Sequence, residues 1–103
     1  MAVHKWAYIY ESPGFSPEAN TVRSSTPQCE FIAVGVDITD KERTLSVARD
    51  LVAEGVQMIE ICGGFGPEWI TRIADAVDHA VPIGGVFYGP EERQRMLDIN
   101  KGR

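Results

Sequence analysis

The stretch from Val56 to Trp69 decides the fold, and it reads V-Q-M-I-E-I-C-G-G-F-G-P-E-W. Its first half is an apolar run with the length of one buried strand, and its end places proline and glutamate where a helix begins. The glycine-rich turn between them can present backbone N–H groups to an anion. We therefore predict a strand, a tight turn and a helix, with a candidate site at the turn beside Glu60 and Cys62.

Size and charge exclude several classes of function. The 103 residues are 44% hydrophobic, which is typical of one small globular domain, here spanning residues 1–103. The formal net charge of −5, without a cluster of lysine or arginine, argues against a nucleic-acid partner. No apolar run approaches the roughly 20 residues of a membrane span, and the start of the chain lacks a secretory pattern. We expect a cytoplasmic protein with no nucleic-acid or membrane partner.

Cysteines and histidines are too few and too scattered to predict a metal site. Cys29 and Cys62 have neither metal-ligand nor redox spacing, so we expect free thiols in a reducing compartment. His4 and His79 stand far apart in the sequence. The sequence therefore predicts no metal and no other cofactor.

Strand and helix patterns alternate along the chain. The predicted elements are a strand Lys5–Glu11, a loop 12–28, a strand Glu30–Asp37, a helix from a Thr39–Glu42 capping box to Glu54, a strand Val56–Cys62, a helix from Gly66-Pro67-Glu68, a strand Val81–Tyr88, and a short helix opened by Pro90 and anchored by Met96, Leu97 and Ile99. Turn-forming residues indicate that the 12–28 loop is long and mobile, with a short helical turn at Ser16-Pro17. Right-handed crossovers place both main helices on one side. The predicted fold class is α/β: a single four-stranded, mostly parallel sheet with two main helices on one face and a short C-terminal helix.

Alternation along the strands divides their residues between two faces of the sheet. One face is aliphatic and suited to packing under helices; it collects Ala7, Ile9, Ile32, Val34, Val36, Ile59 and Ile61. The other is aromatic and contains a carboxylate; it collects Trp6, Tyr8, Tyr10, Phe31, Ala33, Asp37, Met58, Glu60 and Cys62. The second face is too apolar to leave in water. We predict that it is covered by a second subunit in a homo-oligomer, most simply a dimer, by the 12–28 loop, or by both.

Three turns share one pattern of an aromatic residue, a small residue, proline and glutamate. They are Phe15-Ser16-Pro17-Glu18, Phe65-Gly66-Pro67-Glu68 and Tyr88-Gly89-Pro90-Glu91. The pattern favours helix initiation, because proline fits the first helical position and an acid suits the first turn. It also suggests that the turns line the carboxyl edge of the sheet, where open α/β folds bind ligands. Both interpretations can hold together.

Two segments resemble a family of small bacterial proteins known as a domain of unknown function. The segments are W-A-Y-I-Y-E-S-P-G-F from Trp6 to Phe15 and E-G-V-Q-M-I-E-I-C-G-G-F-G-P-E-W from Glu54 to Trp69. The resemblance covers most of the chain, and the cysteine-containing segment is its most specific part. It implies a stand-alone α/β domain and brings no assigned reaction with it.

Glu60 and Cys62 are the candidate catalytic residues. Glu60 lies in an otherwise apolar strand, where burial raises a carboxyl pKa toward the range useful for a general base or acid. The alternative is a structural Glu60 bonded to Tyr8, Tyr10 or a neighbouring subunit. Cys62 precedes the glycine turn near a helix N-terminus, which favours a thiolate. Neither histidine is placed near the carboxyl end of a strand to act as its base, and the alternative is a small buried packing residue.

The candidate ligand-binding residues surround the same edge of the sheet. They are Tyr8, Tyr10, Asp37, Gly63, Gly64, Phe65, Gly66 and Tyr88. The glycines can hold a phosphate or carboxylate, or they simply make a tight turn. Asp37 can reach the same edge, as can Glu11, or it stabilises the start of the first helix. The tyrosines can orient a ligand or pack in the core.

Two functions of different class fit these residues. The first is binding of a small polar or anionic metabolite at the carboxyl edge of the sheet, with proton-transfer chemistry of the isomerase or lyase type at Glu60. The second is a non-catalytic oligomeric or ligand-sensing protein whose aromatic face is a subunit interface.

Overall fold

The chain folds into a five-stranded sheet with three helices, in a computed structural model that describes residues 2–101. The elements are β1 (Lys5–Glu11), β2 (Thr21–Ser25), β3 (Glu30–Val36), α1 (Arg43–Ala53), β4 (Ile59–Ile61), α2 (Pro67–Ala76), β5 (Ile83–Gly85) and α3 (Pro90–Lys101). The strand order is β2-β3-β1-β4-β5, and only the β2–β3 pair is antiparallel. The ends of the predicted domain, residue 1 and residues 102–103, lie outside the described residues.

The α/β class and the mostly parallel sheet are confirmed, but the number of strands was wrong. β2 lies inside the segment that the sequence indicated as a loop, and all five of its residues, from Thr21 to Ser25, pair with β3 between Glu30 and Val34. All five of its residues are exposed. Such an edge strand has no buried face, so its polar sequence carries no alternating pattern that would reveal it. Before it, Ser16 begins a turn rather than a helix, and its hydroxyl accepts the Ala19 N–H at 3.2 Å.

Both α1 and α2 pack on the face predicted to be aliphatic. All seven strand residues assigned to that face are buried, and Ile9, Ile32 and Ile59 have no exposed surface. The helices complete the core with Val47, Ala48 and Leu51 from α1 and with Trp69 and Ile73 from α2. The two-face alternation of the strands therefore predicted the core correctly.

Helix and strand ends differ from the sequence prediction in ways with local causes. The Thr39–Glu42 capping box does not form, because the Thr39 N–H donates to Asp37 Oδ1 at 3.2 Å and α1 starts only at Arg43. α1 does stop before Gly55, whose φ of 101° suits glycine. α2 begins at Pro67 as expected, with Glu68 in its first turn. β4 and β5 are each three residues long, shorter than predicted, and the rest of those segments continues as irregular chain.

The second face of the sheet, called the open face below, has no helix packed on it among the described residues. Its members are Trp6, Tyr8, Tyr10, Val22, Phe31, Ala33, Met58 and Glu60. Val22 is 59% exposed and the others are half-buried. Their rings pack on one another: the Trp6 and Phe31 centroids lie 4.5 Å apart, and those of Tyr8 and Tyr10 lie 6.3 Å apart.

α3 crosses the carboxyl edge of the sheet instead of covering either face. Arg93, Met96, Leu97 and Asn100 recur at the spacing of one helical stripe and turn toward this edge. α3 nevertheless buries no side chain, and Ile99, predicted to anchor it, is 72% exposed. Among residues 2–101 no helix is both long and apolar enough to cross a membrane.

Candidate functional site

A cavity of about 360 Å³, called the edge cavity below, lies where the carboxyl ends of β1 and β4 meet α3. Its lining includes Tyr8, Glu11, Ser12, Pro13, Ile38, Cys62, Gly63, Gly64, Val86, Tyr88, Met96 and Asn100. A second cavity of about 200 Å³ adjoins it, shares Glu11 and Gly64, and adds Lys41 and Leu97. Parallel strands bring their carboxyl ends to one edge, and the turns that follow them supply most of these residues.

Glu11 is the buried charge of the edge cavity. Its side chain is only 9% exposed, and its Oε2 atom accepts no hydrogen bond from the described residues. The Lys41 Nζ atom lies 3.7 Å from Oε2, close enough for an ion pair but too far for a good hydrogen bond. Burial raises the pKa of Glu11, and Lys41 opposes this shift. The site thus holds a carboxylate with an unused acceptor atom.

The glycine turn fits against Glu11 and Tyr88 so closely that it has no room for side chains. A Cβ atom at Gly64 would lie 2.3 Å from Glu11 Oε1, and one at Gly63 would lie 2.3 Å from the Tyr88 ring. Two cations fix the turn from outside: Arg93 Nη1 donates to the Gly63 carbonyl at 3.1 Å, and Lys41 Nζ to the Gly64 carbonyl at 3.5 Å. The two glycines therefore allow the carboxylate and the tyrosine to pack directly against backbone.

The turn offers limited support for the anion site predicted at Gly63, Gly64 and Gly66. Neither the Gly63 nor the Gly64 N–H donates a hydrogen bond to any residue within 2–101. Gly66, however, caps α2 with a φ of 85°, and the Glu68 carboxylate already faces it. An anion at this helix start would meet that carboxylate together with the Arg93 guanidinium, and Glu11 lies nearby beside Lys41. The acids and cations largely offset one another, so the charges do not select a strongly anionic ligand.

Cys62 and two tyrosines, Tyr8 and Tyr88, supply a thiol and two hydroxyls to the edge cavity. The half-buried Cys62 is a free thiol whose Sγ accepts the Glu11 N–H at 3.4 Å. Tyr88 is 46% exposed and closes the cavity beside Gly63. Burial, and then the negative charges of Cys62, Tyr88 and Glu60 when ionised, raise the pKa of Tyr8. At neutral pH its hydroxyl is therefore available to donate a hydrogen bond.

Glu60, the predicted catalytic base, lies on the open face and does not line the edge cavity. It pairs in register with Tyr8 on one side and with Gly84 on the other, and it is half-buried. Its catalytic role therefore stays a prediction, placed away from the cavity that holds Cys62.

The other predicted ligand-binding residues lie in different places. Tyr10 packs edge-on against Phe15, with ring centroids 5.8 Å apart. Asp37 lines a separate cavity with Phe15 and Arg43, and backbone N–H groups, that of Thr39 first, lower its pKa. Phe65 is 1% exposed and packs in the core against Trp69. The structure thus gathers Tyr8, Cys62, Gly63, Gly64 and Tyr88 at one cavity and leaves these three elsewhere.

Several lining residues carry no signal in the sequence. Ser12, Ile38, Lys41, Met96 and Asn100 come from loops and from α3, whose placement on the edge cannot be read from spacing. Glu11 does carry one, since it is the acid that ends the central strand. Among residues 2–101, no group of three or more His, Cys, Asp or Glu side chains has a geometry that could hold a metal ion.

One family model covers the glycine turn and the strand ends together. Residues 4–101 match a family described as "Family of unknown function (DUF6506)". The chain belongs to this family. The DUF6506 match includes every element of the fold, from β1 to α3. No curated protein and no solved structure matches the chain.

Proposed function

We propose that this protein binds a small polar metabolite in the edge cavity, with Glu11 as the residue that recognises it. The observation that carries the proposal is the Glu11 side chain, more than nine-tenths buried at the cavity, with Oε2 lacking a hydrogen bond within residues 2–101. A buried carboxylate oxygen without a partner costs free energy, and a ligand hydroxyl or amino group would offset that cost.

The lining suggests the chemical class of the ligand. Glu11 accepts hydrogen bonds, whereas Tyr8, Tyr88 and Ser12 supply hydroxyls and Asn100 an amide. Ile38, Pro13, Val86 and Met96 add apolar surface. A volume of about 360 Å³ lies at the lower end of the range of roughly 300–1,000 Å³ for ligand pockets. A small hydroxylated or aminated metabolite fits these conditions.

Ligand-observed NMR with a panel of small hydroxy, keto and amino compounds tests the proposal. We expect at least one compound to bind the wild-type protein and to lose about tenfold or more in affinity with Glu11→Gln, because a hydrogen bond to a charged group is lost. Glu60→Gln is the matched control, since it makes the same change on the open face and should bind normally.

Three results would contradict the proposal. No compound of the panel binds the wild type, Glu11→Gln binds as tightly as the wild type, or Glu60→Gln alone loses binding. The last result would indicate that the ligand binds at Glu60 on the open face.

Proton transfer at Glu11 is the second candidate function. Burial raises its pKa, and the Cys62 sulfur and the Tyr8 ring line the same cavity, so an acid or base and polar neighbours converge on one ligand. In D₂O, wild-type protein should then exchange a carbon-bound hydrogen of the bound compound for deuterium, and Glu11→Gln should not. Binding without exchange would identify a binding protein instead of an isomerase or lyase.

A further inference from the structure

The open face is an apolar surface on which no helix of residues 2–101 packs; at one end the Phe15 ring lies against Tyr10 and Gly35. α1 and α2 occupy the opposite face, and α3 lies across the carboxyl edge. Within residues 2–101, Glu60 is the one carboxylate among the members of the open face, and none of those members is a lysine, arginine or histidine. The other charged strand residues, Lys5, Glu11, Arg23 and Glu30, lie on the helix side.

The size of this face reaches the lower limit for a specific dimer interface. Five strands about 4.8 Å apart and three rows of side chains about 6.6 Å apart give roughly 500 Å² of sheet. Two copies placed face to face would bury on the order of 1,000 Å², where specific interfaces begin. Trp6 and Phe31, whose rings pack on each other, contribute aromatic surface to this area.

The composition of the face favours a second copy over a different partner. A partner of other sequence is selected by complementary charges, and this face offers one carboxylate and otherwise apolar or hydroxyl-bearing side chains. The chain as a whole has a net charge of −5, which opposes self-association through its charged surfaces. The open face is the surface where two copies meet with the least repulsion.

The open face is also continuous with the edge cavity. Tyr8 belongs to both, and Val86 and Tyr88, which are 45% and 46% exposed, border the cavity on this side. A copy seated on the open face would cover Tyr8 and narrow the opening of the cavity. The two features therefore form one contiguous surface.

We infer that the protein forms a two-fold homodimer through the open faces of two copies, packed sheet against sheet. The axis brings the same aromatic residues of each copy together, as an isologous interface requires. The sheets lie about 10 Å apart with interdigitated side chains, as in packed sheets generally. The inference stands on the face itself and does not depend on whether the edge cavity binds a metabolite.

Sedimentation velocity over a concentration series tests the inference without any ligand. The wild type should sediment at twice the chain mass at the higher concentrations. Ala33→Glu places a carboxylate near the centre of the face, and Val22→Glu places one at its rim on β2. Both should weaken dimerisation about tenfold or more, since each then brings a carboxylate without a partner into an apolar interface. Val3→Glu makes the same change before β1 and should leave the dimer intact.

Circular dichroism and thermal melting establish that each variant is folded. Val22 is 59% exposed in the single chain, so Val22→Glu decides the matter if Ala33→Glu fails to fold. The inference is overturned if the wild type is monomeric at every concentration, or if Val22→Glu and every folded variant of the face remain dimeric. Neither result bears on ligand binding at Glu11.

Discussion

Two carboxylates at opposite edges of the sheet, those of Glu54 and Glu11, have opposite environments. Glu54, at the amino edge, accepts Arg23 Nη2 at 2.9 Å and pairs with Lys5 Nζ at 3.0 Å. These contacts, the hydrogen bond from Arg23 first, lower its pKa to about 2. Glu11, at the carboxyl edge, has only Lys41 at 3.7 Å, and burial raises its pKa. One acid is surrounded by partners, and the other is buried with too few.

The difference indicates that Glu54 serves the stability of the fold, whereas Glu11 is available to a ligand. The partners of Glu54 tie the starts of β1 and β3 to β2 and to the end of α1, so this cluster contributes to stability. Glu11 makes no comparable set of ion pairs between elements, and its burial costs free energy. A group that costs stability is expected where a protein binds a ligand or performs chemistry.

Of the variants that test this comparison, Gly64→Ala should cause the largest loss of stability. Its Cβ atom would lie 2.3 Å from Glu11 Oε1 and 3.0 Å from its Cδ, so Glu11 must move. We expect a loss of about 1–3 kcal/mol in the free energy of unfolding, together with loss of ligand binding. Urea denaturation measures the first. Gly89→Ala is the control, because a Cβ there has no neighbour within 4 Å; equal losses in both variants would refute the close fit.

Glu54→Gln should have the next largest effect, at the edge built for stability. It removes the acceptor of Arg23 and Lys5, and we expect a cost of about 1 kcal/mol in unfolding free energy at pH 7, given the partial exposure of the pair. Glu42→Gln breaks the more exposed ion pair with Arg72 and should cost less. A smaller loss for Glu54→Gln than for Glu42→Gln would contradict the assignment of this cluster to stability.

The acid dependence of the same variant sharpens the prediction. Because the pKa of Glu54 is lowered in the folded state, its contribution is fully present above the ordinary value of 4.5. It is lost as the pH falls toward about 2. Wild type and Glu54→Gln should therefore converge in stability between those pH values, as measured by urea denaturation at each pH.

The smallest effect, and one of opposite sign, is expected for the stability of Glu11→Gln. The pKa of Glu11 is raised in the folded state, so its charge destabilises the fold at high pH, and this cost disappears below the ordinary value of 4.5. Glu11→Gln should thus be as stable as the wild type at low pH and up to about 1 kcal/mol more stable at pH 8. A destabilised Glu11→Gln at pH 8 would indicate that the Lys41 ion pair outweighs burial.

The sequence predicted the core better than it predicted the residues that line the edge cavity. Alternation along β1, β3 and β4 is a local property, so it identified the buried face correctly. β2 was not predicted, because an edge strand exposed on both sides needs no apolar pattern.

Glu60 was predicted as the catalytic base because its neighbours in the sequence are apolar, whereas Glu11 is the acid buried at the edge cavity. Glu11 packs against the glycine turn, which meets it only after the chain has folded. Spacing in the sequence places the strand ends at one edge, but it does not say which side chains the later turns will cover.

The shallow contact of α3 has a consequence for amide hydrogen exchange. Its 12 residues bury no side chain, and a helix of that length is marginal in water without packing. Its amide hydrogens should therefore exchange by local opening, at a lower free energy than those of β1 and β3, which need global unfolding. Opening of α3 removes one wall of the edge cavity, so a ligand could enter and leave while the core stays closed.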